Sequence, residues 1–203
     1  MTPHHVTSRR AIVTLACLTV AGLIAVGVAE LPGGGSTSGP TSARPTPAQT
    51  SVLLAGSPPA LAALHAQGGA LLGGGAGALH ARLAGLKGYP VVINKWASWC
   101  VPCKAEFGAF QRASAEYGRR VAFVGIDSGD SGRADAMAFL KSFPVSYPSY
   151  YDKSGQLGEQ ITDSSFTPVT VFIARDGRRF IHQGQYPSVG KLELDVERYA
   201  LDA

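Results

Sequence analysis

Short apolar runs and amphipathic segments alternate along the second half of the chain. The runs at residues 91–95, 121–126 and 169–174 are long enough for buried strands and too short for helices. Residues 146–151 predict a further short strand. The Asp176-Gly177 pair predicts a tight turn that leads into a return strand at residues 179–183. The pattern therefore predicts a sheet whose strands come mostly from the C-terminal two thirds of the chain.

The segments between these strands have helical spacing. Helices are predicted at residues 102–117, with Ala105, Phe110 and Ala113 facing inward, at 133–143, and at 188–201 after a Ser188 cap. Leu79, Leu83 and Leu86 recur at helical spacing and predict a helix at 78–86. Strand, helix, strand at this spacing is a parallel βαβ unit, and a hairpin with a closing helix follows it. We predict an α/β fold with a mixed central sheet covered by helices on both faces.

The N-terminal quarter has a different composition. Residues 1–10 are polar and basic, and residues 11–29 carry no charge over a length that just spans a bilayer, which needs about 20 residues. The basic flank predicts a transmembrane anchor with the rest of the chain exported. A cleaved signal peptide is the alternative, since residues 27–29 are small. Residues 30–51 are rich in Gly, Ser and Pro and predict a linker, which leaves 52–203 as the folded domain.

Charge and cysteine count narrow the function. The net charge of +4 is spread along the chain without a basic run, so no nucleic-acid partner is predicted. There are three cysteines, and Cys17 lies in the apolar N-terminal stretch. Cys100 and Cys103 are too few for a disulfide framework or a four-ligand zinc site, and no metal is predicted. Their spacing instead predicts that the two cysteines react with each other, as a redox-active dithiol.

Cys100 and Cys103 lie where a predicted strand gives way to a predicted helix. The first turn of a helix has unpaired N–H groups and a partial positive charge, which together stabilise a thiolate and make Cys100 the attacking sulfur. Cys103 follows one helical turn later and is better shielded. Pro102 is tolerated because that turn needs no N–H. Trp99 offers an apolar surface to a docking peptide, whereas Asp127 and Asp130 are predicted to be turn and cap residues.

The residues around this pair resemble a known family. The segment from Asn94 to Phe107, with Trp99-Cys100-Val101-Pro102-Cys103 at its centre, is similar to the membrane-tethered bacterial TlpA and ResA type of thiol–disulfide oxidoreductases, within the thioredoxin superfamily. The similarity covers about residues 79–199 and includes Thr167-Pro168 before a strand. Two positions depart from relatives: Asn94 replaces the buried Asp of thioredoxin, and Gly108 replaces a proline that kinks the helix.

The resemblance implies a role for each matching residue. Cys100 is expected to be the nucleophile, Cys103 the resolving thiol, and Glu106 a carboxylate that relays protons to Cys103; the alternative for Glu106 is a solvated surface position. Pro168 is expected to be cis, which would bring the Thr167 backbone to the dithiol. The predicted substrate-binding residues are Trp99, Val101, Pro102, Thr167 and Pro168. No cofactor beyond the Cys100–Cys103 disulfide is expected.

The resemblance also implies a setting. We expect a monomeric domain held by a single-pass anchor outside a bacterial cell membrane, where a membrane thiol carrier supplies electrons and exported proteins such as apocytochrome c are reduced. An oxidase that uses the same dithiol is the main alternative, because direction depends on reduction potential. A copper chaperone with His182 as a third ligand and a peroxiredoxin are weaker alternatives, since the spacing and the residues before Cys100 fit them poorly.

Overall fold

The computed structural model describes residues 44–202. Within this range six strands are found, namely β1 (Leu71–Leu72), β2 (Val91–Trp96), β3 (Ala122–Ser128), β4 (Ser149–Asp152), β5 (Val169–Ile173) and β6 (Arg179–Gln183). The same range holds seven α-helices: α1 (Pro47–Leu54), α2 (Pro59–His65), α3 (Gly75–Gly85), α4 (Val101–Tyr117), α5 (Arg133–Ser142), α6 (Gln156–Thr162) and α7 (Val189–Val196). A short π-helical stretch, Glu197–Leu201, continues α7.

The strands form one mixed sheet in the order β1-β4-β3-β2-β5-β6. The pairs β1–β4, β4–β3 and β3–β2 are parallel, whereas β5 is antiparallel to β2 and β6 is antiparallel to β5. β2, α4 and β3 form the predicted βαβ unit, and β5 and β6 form the predicted hairpin. The predicted α/β fold with a mixed sheet is confirmed.

Alternation along β2 divides the core between the two faces of the sheet. Val92 and Trp96 pack with side chains of α4, α5 and α7, whereas Val91 and Ile93 pack with α2, α3 and α6. Successive strand residues point to opposite faces, and all six residues of β2 are buried, including the polar Asn94 and Lys95. Helices therefore cover both faces, and the C-terminal end of β2 lies at the centre of one sheet edge.

Trp96 is the largest fully buried side chain, and a glycine makes room for it. Its indole Nε1 donates to Ser149 Oγ at 3.1 Å. Gly125 lies beside this contact in β3, and a Cβ there would overlap Ser149 Oγ and lie 3.0 Å from Trp96 Nε1. The bond satisfies a buried polar group of each partner, which would otherwise cost free energy.

Three local predictions need correction. The linker was predicted to reach Ser51, yet α1 begins at Pro47, because Thr46 and Gln49 form a reciprocal capping box that starts a helix. Helices α1, α2 and α6 and strand β1 lie in segments where no element was predicted. Ala105 was predicted to face inward but is exposed, and Glu106 is buried instead.

The predicted membrane segment, residues 11–29, lies outside the described residues. Among residues 44–202, no helix has the length and apolarity needed to cross a bilayer.

Candidate active site

The fold places Cys100 and Cys103 at the start of α4, directly after the loop that follows β2. Cys100 is the N-cap residue, and the two sulfurs form a disulfide with 5.3 Å between the Cα atoms. The backbone N–H of Cys103 donates to Cys100 Sγ at 3.1 Å. This donor is one of those a helix leaves unpaired in its first turn, so it can stabilise negative charge on Cys100 after reduction.

Burial distinguishes the two sulfurs only slightly. Cys100 is 3% exposed and Cys103 is fully buried. The order agrees with Cys100 as the attacking sulfur, and the N–H contact to Cys100 Sγ points the same way. The assignment of nucleophile and resolving thiol stays a prediction.

Exposed apolar side chains surround the dithiol. Trp99 is 61% exposed and Val101 is 73% exposed, whereas Pro102 is half-buried. Soluble domains expose few large apolar side chains together without a use for them. The two neighbours of Cys100 therefore provide an apolar surface on which a peptide could dock.

The Thr167–Pro168 peptide bond is cis in the structure. Because β5 runs antiparallel to β2 and Val169 pairs with Lys95, the residues just before β5 lie at the same sheet edge as those just after β2. The fold thus brings Thr167 and Pro168 to the edge that carries the dithiol. Phe166, which the sequence analysis missed, precedes them and is 73% exposed. A lone aromatic residue in a polar loop was the available signal.

Glu106 is buried on the dithiol helix. Its side chain is 1% exposed, which excludes the alternative of a solvated surface position. It lies three residues after Cys103, so both project from one face of α4. Its Oε2 accepts the backbone N–H of Tyr186 at 2.8 Å, while Oε1 has no partner among the described residues. Burial raises the pKa of Glu106 to about 8, although the Tyr186 hydrogen bond opposes the shift.

A buried polar network continues behind Glu106. The Tyr186 hydroxyl donates to Asp195 Oδ2 at 3.0 Å, and Lys191 Nζ donates to Asp195 Oδ1 at 2.5 Å. His182 stacks on Tyr186 with 4.1 Å between ring centroids and has its Nδ1 3.9 Å from Asp195 Oδ2. Among residues 44–202 no three side chains of the metal-binding types lie close enough together to hold an ion.

Asp127 and Asp130 are not ordinary turn and cap residues. Asp127 is the second-to-last residue of β3 and is fully buried. Asp130 lies in the loop that follows β3 and is 1% exposed. Asp130 accepts hydrogen bonds from Ser98, two residues before Cys100. The prediction failed because the register of β3 and the approach of the Ser98 loop arise from the tertiary fold.

Comparison with known proteins places this site in a family. The model of the family described as Redoxin matches residues 77–197, which is more than half of the chain. The chain belongs to the redoxin family. The matched region contains the dithiol, Glu106 and the cis-proline turn, so the predicted resemblance to thioredoxin-like thiol–disulfide oxidoreductases is confirmed.

Relatives of this redoxin carry consistent names. "Thiol-disulfide oxidoreductase ResA" of Oceanobacillus iheyensis is 31% identical over 96 residues, which are 47% of this chain and 50% of that protein. "Thiol:disulfide interchange protein DsbE" of Escherichia coli is 34% identical over 122 residues, which are 58% of this chain and 63% of that protein. The chain thus spans between 39% and 63% of the length of the curated relatives it matches, which is less than two thirds of each.

A solved structure agrees with this assignment. A putative thiol:disulfide interchange protein DsbE from Chlorobium tepidum superposes with a TM-score of 0.53 at 28% identity, over 58% of this chain and 84% of that one. At the level of the family, a thiol–disulfide oxidoreductase of the ResA and DsbE type with a Cys100–Cys103 pair is therefore supported by both sequence and fold.

Proposed function

We propose that this protein reduces disulfides in exported proteins, with the Cys100–Cys103 dithiol as the electron donor. The observation that carries the proposal is the disulfide at the start of α4, with the Cys103 N–H directed at Cys100 Sγ. Exchange requires a thiolate as the attacking species, and a helix N-terminus favours that form. Apocytochrome c is the substrate that the resemblance implies.

The reaction is a pair of thiol–disulfide exchanges. The Cys100 thiolate attacks one sulfur of the substrate disulfide, forming a mixed disulfide and releasing one substrate thiolate. Cys103 then loses its proton and attacks Cys100 Sγ, which breaks the mixed disulfide and releases the second substrate thiolate. Two electrons pass to the substrate, whose two thiolates take up one proton from Cys103 and one from water, and the Cys100–Cys103 disulfide forms. A membrane thiol carrier reduces this disulfide for the next cycle.

Glu106 is suited to the proton transfer in the second step. It shares a helix face with Cys103, and its pKa of about 8 lies close enough to neutral pH for a proton to be taken up and released. A buried carboxyl of this kind can take the Cys103 proton and later return one when the disulfide is reduced. Tyr186 fixes the carboxyl through its backbone N–H, which leaves the other oxygen free for proton transfer.

Substrate docks on the apolar surface around Cys100. Trp99, Val101 and Phe166 are all exposed and flank the dithiol edge, with Pro102 on the helix side. The Thr167 backbone, before cis-Pro168, offers a place for an extended peptide to pair. Val101 carries no charge, so contact with the substrate there is apolar.

The working site lies outside the cytoplasm. The basic flank and apolar stretch of residues 1–29 support a single-pass anchor in a bacterial membrane or, after cleavage, a secreted domain. The residues of 30–51 that precede α1 would then act as a tether. We propose a monomeric domain that reaches its membrane reductant and its substrates at the membrane surface.

The reduction potential tests the direction. Full-length protein is equilibrated in glutathione buffers of stepped ratio, and the dithiol fraction is read after acid quenching and thiol labelling. A potential well below about −200 mV supports a reductase. A value near about −120 mV, typical of a strong oxidant, contradicts the proposal and favours the oxidase. Each 30 mV corresponds to about 1.4 kcal/mol for two electrons.

A further inference from the structure

One side chain, that of Asp130 in the loop after β3, holds the loop between β2 and α4 in place. The backbone N–H of Ser98 donates to both carboxyl oxygens of Asp130, at 3.2 and 3.1 Å, and Ser98 Oγ donates to Oδ1 at 3.0 Å. The Trp99 indole N–H donates to the Gly129 carbonyl at 3.3 Å. The two residues before Cys100 are thus both bonded to the loop after β3.

Asp130 is itself held in place. Its side chain is 1% exposed, and its backbone carbonyl accepts the Tyr151 hydroxyl at 3.2 Å. Next to it, the Gly129 N–H donates to the Asp152 carbonyl at 2.8 Å. A buried carboxylate is costly unless its oxygens accept hydrogen bonds, and here Ser98 supplies them. The carboxylate and the Ser98 loop therefore depend on each other.

The buried acid beside Asp130 is held neutral. Asp127 is fully buried, and neither of its oxygens accepts a hydrogen bond from the described residues. Burial and the adjacent Asp130 carboxyl raise the pKa of Asp127 to about 9, with Asp152 adding to the shift and Arg133 opposing it. Asp127 is therefore protonated at neutral pH.

We propose that Asp130 is a positioning residue for the nucleophile, holding Ser98 so that Cys100 Sγ stays at the N-terminus of α4. The inference rests on the proposed function, since it assigns Asp130 a part in that reaction. Its physical consequence, however, can be measured on the Cys100 thiol alone. In the oxidised protein the disulfide also restrains Cys100, so the Asp130–Ser98 contact matters most after reduction.

Positioning and simple charge predict opposite results. If Asp130 positions Cys100, removing the contact lets the sulfur leave the Cys103 N–H, so the thiolate is less stable and the thiol pKa rises. If Asp130 acted only through its negative charge, removing that charge would lower the thiol pKa. Ser98→Ala separates the two effects, because it removes the hydroxyl donor and leaves every charge in place.

The test measures how the rate of alkylation at Cys100 depends on pH. The full-length protein carries Cys103→Ser, is reduced in detergent and is treated with iodoacetamide. Mass spectrometry follows the peptide that contains Cys100, in which Cys100 is then the only thiol. The variants are Ser98→Ala, Asp130→Asn and Asp130→Ala. Asp135→Asn is the matched control, since it removes an exposed acid that lines the same cavity, whereas the hydrogen bonds of Ser98 go to Asp130.

The proposal expects a higher Cys100 pKa for Ser98→Ala and a larger rise for Asp130→Ala. At pH 7 alkylation slows about threefold and about tenfold respectively, a scale set by the loss of one or several hydrogen bonds. Asp130→Asn keeps an acceptor for the Ser98 N–H and falls between them. Asp135→Asn matches the unaltered protein.

Two results would overturn the inference. One is a Cys100 pKa that is unchanged in Ser98→Ala and lowered in Asp130→Asn. That pair of results would mean that Asp130 acts on Cys100 only through its negative charge. The other is a set of variants that all match Asp135→Asn. Because Asp130→Ala removes a buried group and could unfold, Ser98→Ala and Asp130→Asn together decide the outcome. Reduction of a protein disulfide by the Cys103-intact chain is assayed separately, so a failure of the proposed function would be seen there and not in the alkylation rates.

Discussion

Replacing Glu106 by Gln should change how stability depends on pH. Glu106 is 1% exposed and its pKa is about 8, against 4.5 for an ordinary carboxyl. The unfolded chain therefore loses this proton at a lower pH than the folded chain does. The contribution of Glu106 to stability is complete below pH 4.5 and is lost as pH rises toward 8. The shift corresponds to about 5 kcal/mol at most.

Gln has the shape of a protonated Glu and can still accept the Tyr186 N–H, but it does not ionise. The free energy of unfolding of oxidised Glu106→Gln, relative to the unaltered protein, should thus increase between pH 4.5 and 8 by several kcal/mol. Urea unfolding at stepped pH, followed by tryptophan fluorescence, measures it. Other buried acids such as Asp127 are present in both proteins and cancel. Glu116→Gln, on the exposed side of the same helix, is the control.

A difference between Glu106→Gln and the unaltered protein that stays constant with pH would refute the reasoning. It would mean that Glu106 ionises in the folded protein as it does in water. A difference that falls as pH rises would mean that the folded protein stabilises the carboxylate, and the carboxyl could not then act near neutral pH.

Three further measurements test other parts of the account. In turnover, Glu106→Gln should slow resolution of the mixed disulfide about a hundredfold, measured by quenched flow; unchanged decay would remove Glu106 from the proton transfer. Phe166→Ser should raise KM for a protein disulfide about three- to tenfold and have little effect on KM for a small disulfide. Val52→Ser, at an exposed position remote from the dithiol, should change neither KM. Equal effects of Phe166→Ser and Val52→Ser would argue against docking at Phe166. Gly125→Ala should destabilise the protein by about 1–3 kcal/mol in urea unfolding, because the added Cβ meets Ser149 and Trp96, while Gly190→Ala, in open space, should not.

The elements that carry the dithiol could be predicted because their signals are local. Strand β2 is a short apolar run, α4 begins where a cysteine can cap it, and the Asp176-Gly177 turn joins β5 to β6. These features depend on residues close together in the sequence. The position of the Cys100–Cys103 pair where a strand gives way to a helix, and the βαβ unit around it, were therefore predicted correctly.

The polar groups around the dithiol depend on contacts between distant segments. Periodicity favoured Ala105 as the inward residue, yet α4 rotates Glu106 inward, where the Tyr186 backbone N–H, far along the chain, meets its carboxyl. The sequence predicted Asp130 to be a turn residue, whereas in the structure its carboxyl accepts hydrogen bonds from Ser98. Sequence spacing does not encode such pairings, which arise only when the sheet order brings the loops together.

The elements at the start of the domain were missed for another reason. Residues 52–78 are rich in Ala, Leu and Gly, so they lack the alternation that separates strand from helix. The capping box of Thr46 and Gln49 was present in the sequence but lies in a segment whose overall composition suggested a linker. Local capping outweighed composition there.

Trapping the mixed disulfide tests the central claim most directly. Reduced Cys103→Ser and Cys100→Ser variants of the full-length chain are each mixed with a protein substrate that carries a disulfide, and the adducts are mapped by mass spectrometry. If Cys100 is the nucleophile and Cys103 the resolving thiol, Cys103→Ser accumulates a stable mixed disulfide through Cys100, and Cys100→Ser forms none. An adduct through Cys103 in Cys100→Ser, with none in Cys103→Ser, would contradict the account.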